Sequence, residues 1–180
     1  MGWKRNPRSS WRRAASFTSP QSNPEPCAVL FDRDGTLIED VPYSGDPDRV
    51  VPLAQARESL DRLRAAGLPV VVISNQSGIG RGMITAAQAE SVNRRVEELL
   101  GPFDGLFYCP HAPQDDCECR KPKPKLILDA AEALSVPPAC CVMVGDKVSD
   151  IEAASNAGAQ GFLLGPSFGL RDAVDRILRV

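Results

Sequence analysis

The chain is predicted to fold as a doubly wound, mostly parallel α/β sheet with helices on both faces. Three observations carry that expectation. Apolar runs at 27–31, 69–73 and 140–144 have the length and near-continuous hydrophobicity of strands buried on both sides. Stretches with apolar residues three and four apart alternate with these runs, as in βαβ units. The 180 residues and 43% hydrophobic content suit one domain with an ordinary core.

Each element has its own signal. Residues 53–66 space Leu53, Ala56, Leu60, Leu63 and Ala66 along one helical face, and Gly67 stops the helix. Residues 85–100 open on Thr85 as N-cap, carry Val92, Val96, Leu99 and Leu100 inward, and stop at Gly101. Further helices are expected over 125–134, 148–157 and 168–178, and weaker strands over 105–108 and 161–164. The stretch 38–52 holds Pro42, Gly45, Pro47 and Pro52, with Tyr43 and Arg49 among acids, and reads as a long loop. Such a loop is either a binding loop or a plain connector. No internal repeat is visible.

Residues 1–26 differ from the rest. They are rich in Ser, Pro and Arg, lack apolar periodicity, and set Lys4, Arg5, Arg8, Arg12 and Arg13 against Glu25 alone. They read as a disordered basic tail, with some likeness to an organelle leader, ahead of a folded domain over 27–180. A net charge of −2 gives no general argument for nucleic-acid or membrane binding. No apolar stretch is long enough to span a bilayer. A cytoplasmic monomer is expected, with no nucleic-acid and no membrane partner.

The chemistry concentrates where apolar runs end. After Ala28–Phe31 come Asp32 and Asp34, one residue apart, then Gly35 and Thr36. In a parallel α/β sheet the carboxyl edge of the strands is where ligands bind. Two carboxylates there repel, and a hard divalent cation such as Mg2+ offsets them through oxygen ligands. One acid can then act as nucleophile while its neighbour handles protons. A simple Asp-Gly turn is the plain alternative. The second run ends at Ser74, followed by Asn75-Gln76-Ser77-Gly78, a hydroxyl and backbone N–H groups suited to phosphate oxygens, or an ordinary turn. Arg120-Lys121-Pro122-Lys123 places cations on a stiff segment, or is a solvated basic loop. The run 140–144 ends in Gly145-Asp146, with Asp150 one helical turn on, where a helix dipole also favours an acid.

Jointly, Asp32-x-Asp34-Gly-Thr, Ser74, Lys121 and Gly-Asp146-x-x-x-Asp150 resemble the haloacid dehalogenase superfamily of phosphohydrolases. The resemblance implies that Asp32 attacks phosphorus to form an aspartyl-phosphate and that Asp34 serves as acid and then base. It implies Mg2+ held by the Asp32 carboxylate, the Asp34 backbone carbonyl and Asp146, with Ser74 and Lys121 on the transferring phosphoryl group. The intervals from Asp32 to Ser74 and from Ser74 to Lys121 are nearly filled by body helices, so no large cap domain is expected. The loops 38–52 and 109–121 then form the walls of an open site.

Of the six cysteines, Cys109, Cys117 and Cys119 cluster around His111, the only histidine. Three thiolates and one imidazole suit a structural, tetrahedral Zn2+; reduced surface thiols or a redox pair are the alternatives. Cys27, Cys140 and Cys141 lie in or beside apolar runs and are expected as small free core residues rather than disulfides. The zinc loop, Asp40-Val41-Pro42-Tyr43 and Ser74–Gly82 together resemble the D-glycero-D-manno-heptose 1,7-bisphosphate 7-phosphatases. That resemblance implies a small phosphorylated sugar as substrate, lined by Asp40, Val41, Pro42, Tyr43, Ser74, Asn75, Gln76, Ser77, Arg120, Lys121 and Lys147. Histidinol-phosphate phosphatases share the zinc loop and are the alternative within the superfamily. A non-catalytic phosphoaspartate receiver or scaffold is the alternative outside it, disfavoured by the paired Asp34 and the zinc loop.

Overall fold

The computed structural model describes residues 24–179. The expected tail therefore lies outside the described residues, apart from its last three positions. Among the described residues, five strands form one sheet: β1 (Ala28–Phe31), β2 (Val70–Asn75), β3 (Gly105–Cys109), β4 (Cys141–Gly145) and β5 (Gln160–Leu163). All are parallel, in the order β3-β2-β1-β4-β5. The helices are α1 (Ala56–Ala65), α2 (Ser77–Gly80), α3 (Ala86–Leu100), α4 (Lys125–Ala133), α5 (Val148–Ala157) and α6 (Leu170–Leu178). The single-turn α2 begins in the segment after Ser74 that the sequence offers either as a phosphate-holding stretch or as an ordinary turn.

The two faces of the sheet are filled differently, because alternate residues of a strand point opposite ways. Val29, Phe31, Val70, Val72, Val142 and Val144 pack against large side chains of α1, α3 and α6, among them Leu60, Leu63, Val96 and Ile177. Ala28, Leu30, Val71, Ile73, Cys141 and Met143 face α4 and α5, where Ala130, Ala131, Ala153 and Ala154 let the helices approach closely. Thr85 caps α3 in a reciprocal box: its hydroxyl accepts from the Gln88 N–H at 3.2 Å, and the Gln88 side chain accepts from the Thr85 N–H at 2.8 Å. Gly101, with φ of 90°, ends the helix as expected. The stretch 38–52 contains no α-helix, only a short 3-10 turn at Pro47–Arg49.

The strand order sets the site. β1 leads outward through β2 to β3 on one side, and β4 and β5 fill the other. The order reverses between β1 and β4, so the connections that leave their paired carboxyl ends part to opposite sides and open the crevice that this topology creates. Asp32 follows β1 and Asp146 follows β4.

One sequence expectation is corrected at the opposite edge. Cys27 and Cys140 are joined by a disulfide, with Cα atoms 5.3 Å apart, while Cys141 stays free and buried. The cause is register: Ala28 pairs with Cys141, so the preceding residues are also neighbours, and the Cys27 N–H bonds the Cys140 carbonyl at 2.9 Å. Among the described residues, no helix is long and apolar enough to cross a membrane.

Candidate active site

A cleft of about 460 Å³ opens at the carboxyl edge of the sheet. It is lined by Asp32, Arg33 and Asp34 from the β1 end, by Asp40–Ser44 from the long loop, and by Asn75, Gln76 and Ser77 after β2. Arg120, Lys121, Lys147, Ser149 and Asp150 complete it. Side chains separated by more than a hundred residues thus meet because four strands end side by side.

The floor is a buried charge cluster. Lys121 Nζ lies 2.9 Å from Asp32 Oδ1 and 2.6 Å from Asp150 Oδ1, and donates to the Ile73 carbonyl at 2.8 Å. The approach to Asp150 Oδ1 lies off the hydrogen-bond direction, so that contact is one of charge. Asp32 Oδ1 also accepts from the Arg33 N–H at 2.8 Å. Burial pushes the Asp32 carboxyl up to about 6; Lys121 opposes that rise, while Asp150 and Asp34 add to it by repulsion.

Asp32, Asp146 and Asp150 place one carboxylate oxygen each within 4.8 Å of the others. Lys121 pairs with two of these acids and leaves Asp146 outside the pair, and three converging carboxylates of this kind suit a hard divalent cation. The surroundings fit this use. Thr36 donates its hydroxyl to Asp146 Oδ1 at 3.2 Å, and a side chain at Gly35 would collide with Asp146 Oδ2, so the loop after β1 is built around that acid. Gly35 also has φ of 82°, a left-handed conformation other residues resist. The Asp34 carboxylate is not in this cluster. It is held by Arg33, and Gln76 Nε2 donates to its Oδ2 at 2.8 Å.

The residues after β2 divide their work. Ser74 is buried, and its hydroxyl accepts from Gln76 Nε2 at 2.7 Å, which leaves the hydroxyl proton to donate elsewhere. The Asn75 amide bonds both the carbonyl and the N–H of Lys121, each at 3.1 Å, and so fixes the lysine's backbone. At the rim, Lys147 pairs with Asp40 at 3.2 Å and joins the long loop to the β4 end. Burial alone would lower the Lys147 pKa, but Asp146, Asp32 and Asp40 outweigh it and raise it. Arg120 lines the cleft, and its Nη1 is buried with no hydrogen-bond partner among the described residues.

Next to the cleft, Cys109, His111, Cys117 and Cys119 converge. Cys109 Sγ lies 3.6 Å from His111 Nδ1 and 3.5 Å from Cys117 Sγ; Cys119 Sγ lies 3.2 Å from His111 Nδ1 and 3.6 Å from Cys117 Sγ. A tetrahedron with zinc bond lengths has edges of about 3.5–3.8 Å, so the donor set fits Zn2+. Among the thiols themselves, burial pushes Cys109 up to about 12 and raises Cys119. For Cys117 burial also acts upward, but hydrogen bonds from Cys109 and from the Arg120 backbone prevail and lower it.

Sequence reasoning missed Arg33, Ser44 and Ser149 as lining residues. Arg33 could have been suspected, since a charged residue in a buried strand end needs a partner. Ser44 and Ser149 carry no such signal.

The fold and the site define a hydrolase: the chain belongs to the haloacid dehalogenase-like hydrolases, whose family model matches residues 41–158. Among its relatives is the D-glycero-beta-D-manno-heptose-1,7-bisphosphate 7-phosphatase of Pseudomonas aeruginosa, 36% identical over 148 residues, covering 79% of this chain and 83% of that one. The enzyme of the same name from Escherichia coli (strain K12) is 36% identical over 146 residues, covering 74% of this chain and 76% of its own. A crystal structure of the D,D-heptose 1,7-bisphosphate phosphatase from Bordetella bronchiseptica, complexed with magnesium and phosphate, superposes with a TM-score of 0.77 at 29% identity. It covers 84% of this chain and 98% of that one.

Proposed function

We propose that this chain is a Mg2+-dependent phosphatase that removes the C7 phosphate of D-glycero-D-manno-heptose 1,7-bisphosphate through an aspartyl-phosphate on Asp32. The observation that carries this reading is the buried Lys121 lying between Asp32 and Asp150 at the floor of an open polar cleft. A lysine in that position both orients the carboxylate and offsets the charge of an arriving phosphoryl group.

The residues divide the reaction as follows. Asp32 bonds phosphorus through the oxygen that Arg33 N–H and Lys121 leave free, as the ester P–O bond breaks. Asp34 gives its proton to the departing sugar oxygen. It then takes a proton from water as the water oxygen attacks phosphorus and releases Asp32. Ser74 and Lys121 donate to the phosphoryl oxygens throughout. Asp32, Asp146 and the Asp34 backbone carbonyl would hold Mg2+, which when bound supplies positive charge against the carboxylates and the phosphoryl group. Cys109, His111, Cys117 and Cys119 would hold a structural Zn2+, fixing the loop that ends at Arg120 and Lys121.

The retained phosphate falls to Arg120. A buried guanidinium nitrogen without a partner is costly, and a second phosphate in the cleft would satisfy it, its planar fork taking two oxygens at once. The names of the relatives specify the beta anomer, which is the first substrate to try. The test is phosphate release with Mg2+ from both anomers of the bisphosphate and from histidinol phosphate, measured side by side. A strong preference for a bisphosphate is expected. Preference for histidinol phosphate would overturn the sugar assignment and leave the chemistry standing.

A further inference from the structure

Arg33 is a buried cation that the scheme above does not use. It sits between the two aspartates and is only 3% exposed. Burying a guanidinium is unfavourable unless its donors are matched. Here they are matched in a specific way. Nε and Nη2 face both oxygens of Asp34 at 3.1–3.3 Å, and Nη1 donates to the Asn93 side-chain oxygen at 2.5 Å. Asn93 is itself buried, on α3, between core residues Val92 and Val96.

Adjacent residues of an extended strand point opposite ways, so Arg33 reaches Asp34 only because the chain turns after β1. The Leu37 and Ile38 N–H groups both bond back to the Arg33 carbonyl, and the Gly35 N–H bonds the Ile38 carbonyl. A bidentate fork fixes the plane of the carboxylate it holds, which a single ammonium contact would not. On its other side the same carboxylate accepts from Gln76. Asp34 is thus held between two donors, and one of them is anchored to a helix packed on the sheet.

We propose that Arg33, anchored by Asn93, is the positioning residue for Asp34, orienting the carboxyl that exchanges protons with the leaving oxygen and with water. The inference rests on the phosphatase reading above. It extends the working site to α3, sixty residues along the chain and outside the cleft lining.

The test uses the full chain loaded with Mg2+ and Zn2+. Arg33→Gln and Asn93→Ala are expected to lower kcat on the preferred phosphomonoester about 10- to 100-fold, the scale of a misplaced reacting group, with KM within about threefold of the parent. Asn93→Asp, which keeps an oxygen acceptor for Nη1, is expected to restore most of kcat. Unchanged kcat in Asn93→Ala, a loss expressed only in KM, or no recovery in Asn93→Asp overturns the inference. Should Arg33→Gln fail to fold, the Asn93 pair decides alone. A parent chain inactive on every phosphomonoester is a separate outcome: it defeats the phosphatase reading, and this inference with it.

Discussion

The ammonium of Lys121 lies 2.9 Å from Oδ1 of Asp32, and both side chains are almost wholly removed from solvent. Neither group would be stable there alone. Removing the cation leaves Asp32 and Asp150 as buried, uncompensated acids, which typically costs about 3–5 kcal/mol. Lys121→Met is therefore expected to lower the thermal midpoint in chelator-containing buffer and to abolish turnover. Addition of Mg2+ recovers stability but not activity. An unchanged midpoint in urea or thermal unfolding would show that the pair is not structural.

The same burial makes the fold pH-sensitive. Asp32 binds a proton more readily in the folded chain, at about 6, than at its ordinary value of 3.8. The folded state thus holds the extra proton, and this contribution to stability is fully present below about pH 4 and is lost as pH rises through about 6. Asp32→Asn, which keeps the shape and removes the charge, should stabilise the Mg2+-free chain at pH 8, where the buried carboxylate is charged. The gain should shrink toward pH 4. It should also abolish Mg2+-dependent turnover while leaving the fold intact. Retained activity would sink the assignment of Asp32 as nucleophile.

The thiol cluster predicts a metal count. Metal analysis of the purified chain is expected to return one zinc per chain, bound by Cys109, His111, Cys117 and Cys119. Cys119→Ser or prolonged chelation should lower both thermal stability and kcat, because the loop ends directly at Arg120 and Lys121. A folded, active chain containing no zinc would refute the site.

A structural prediction is independent of all chemistry. Thr85→Ala removes the hydroxyl that caps α3 and is expected to cost about 1 kcal/mol. Thr85→Ser should be nearly neutral. Equilibrium denaturation with an unchanged slope measures both, and equal stability of Thr85→Ala and the parent would show that the box contributes nothing.

Much of this architecture is legible in the chain because it depends on local order. Val70–Ile73 and Cys141–Val144 are too apolar and too short to be anything but strands buried on both faces, and Thr85 and Gly101 bracket α3 by capping chemistry alone. The five strand positions and the long helices follow from such signals. The one-turn α2 does not, since four residues carry no period. The candidate site residues were legible to the extent that strand ends announce them: Asp32, Ser74 and Asp146 each close an apolar run.

The elements, and the residue types at their carboxyl ends, are written in local order, because periodicity and capping are properties of neighbours. Which of those groups touch is set by packing. Parallel register placed Cys27 against Cys140 and made a disulfide where free core thiols were expected. The turn after β1 brought the Arg33 fork onto Asp34, and packing of α3 on the sheet supplied Asn93 to anchor it. The Arg33–Asn93 contact joins residues sixty apart. No local pattern encodes it, because it exists only once the core has fixed the distance between two elements that the chain itself keeps far apart.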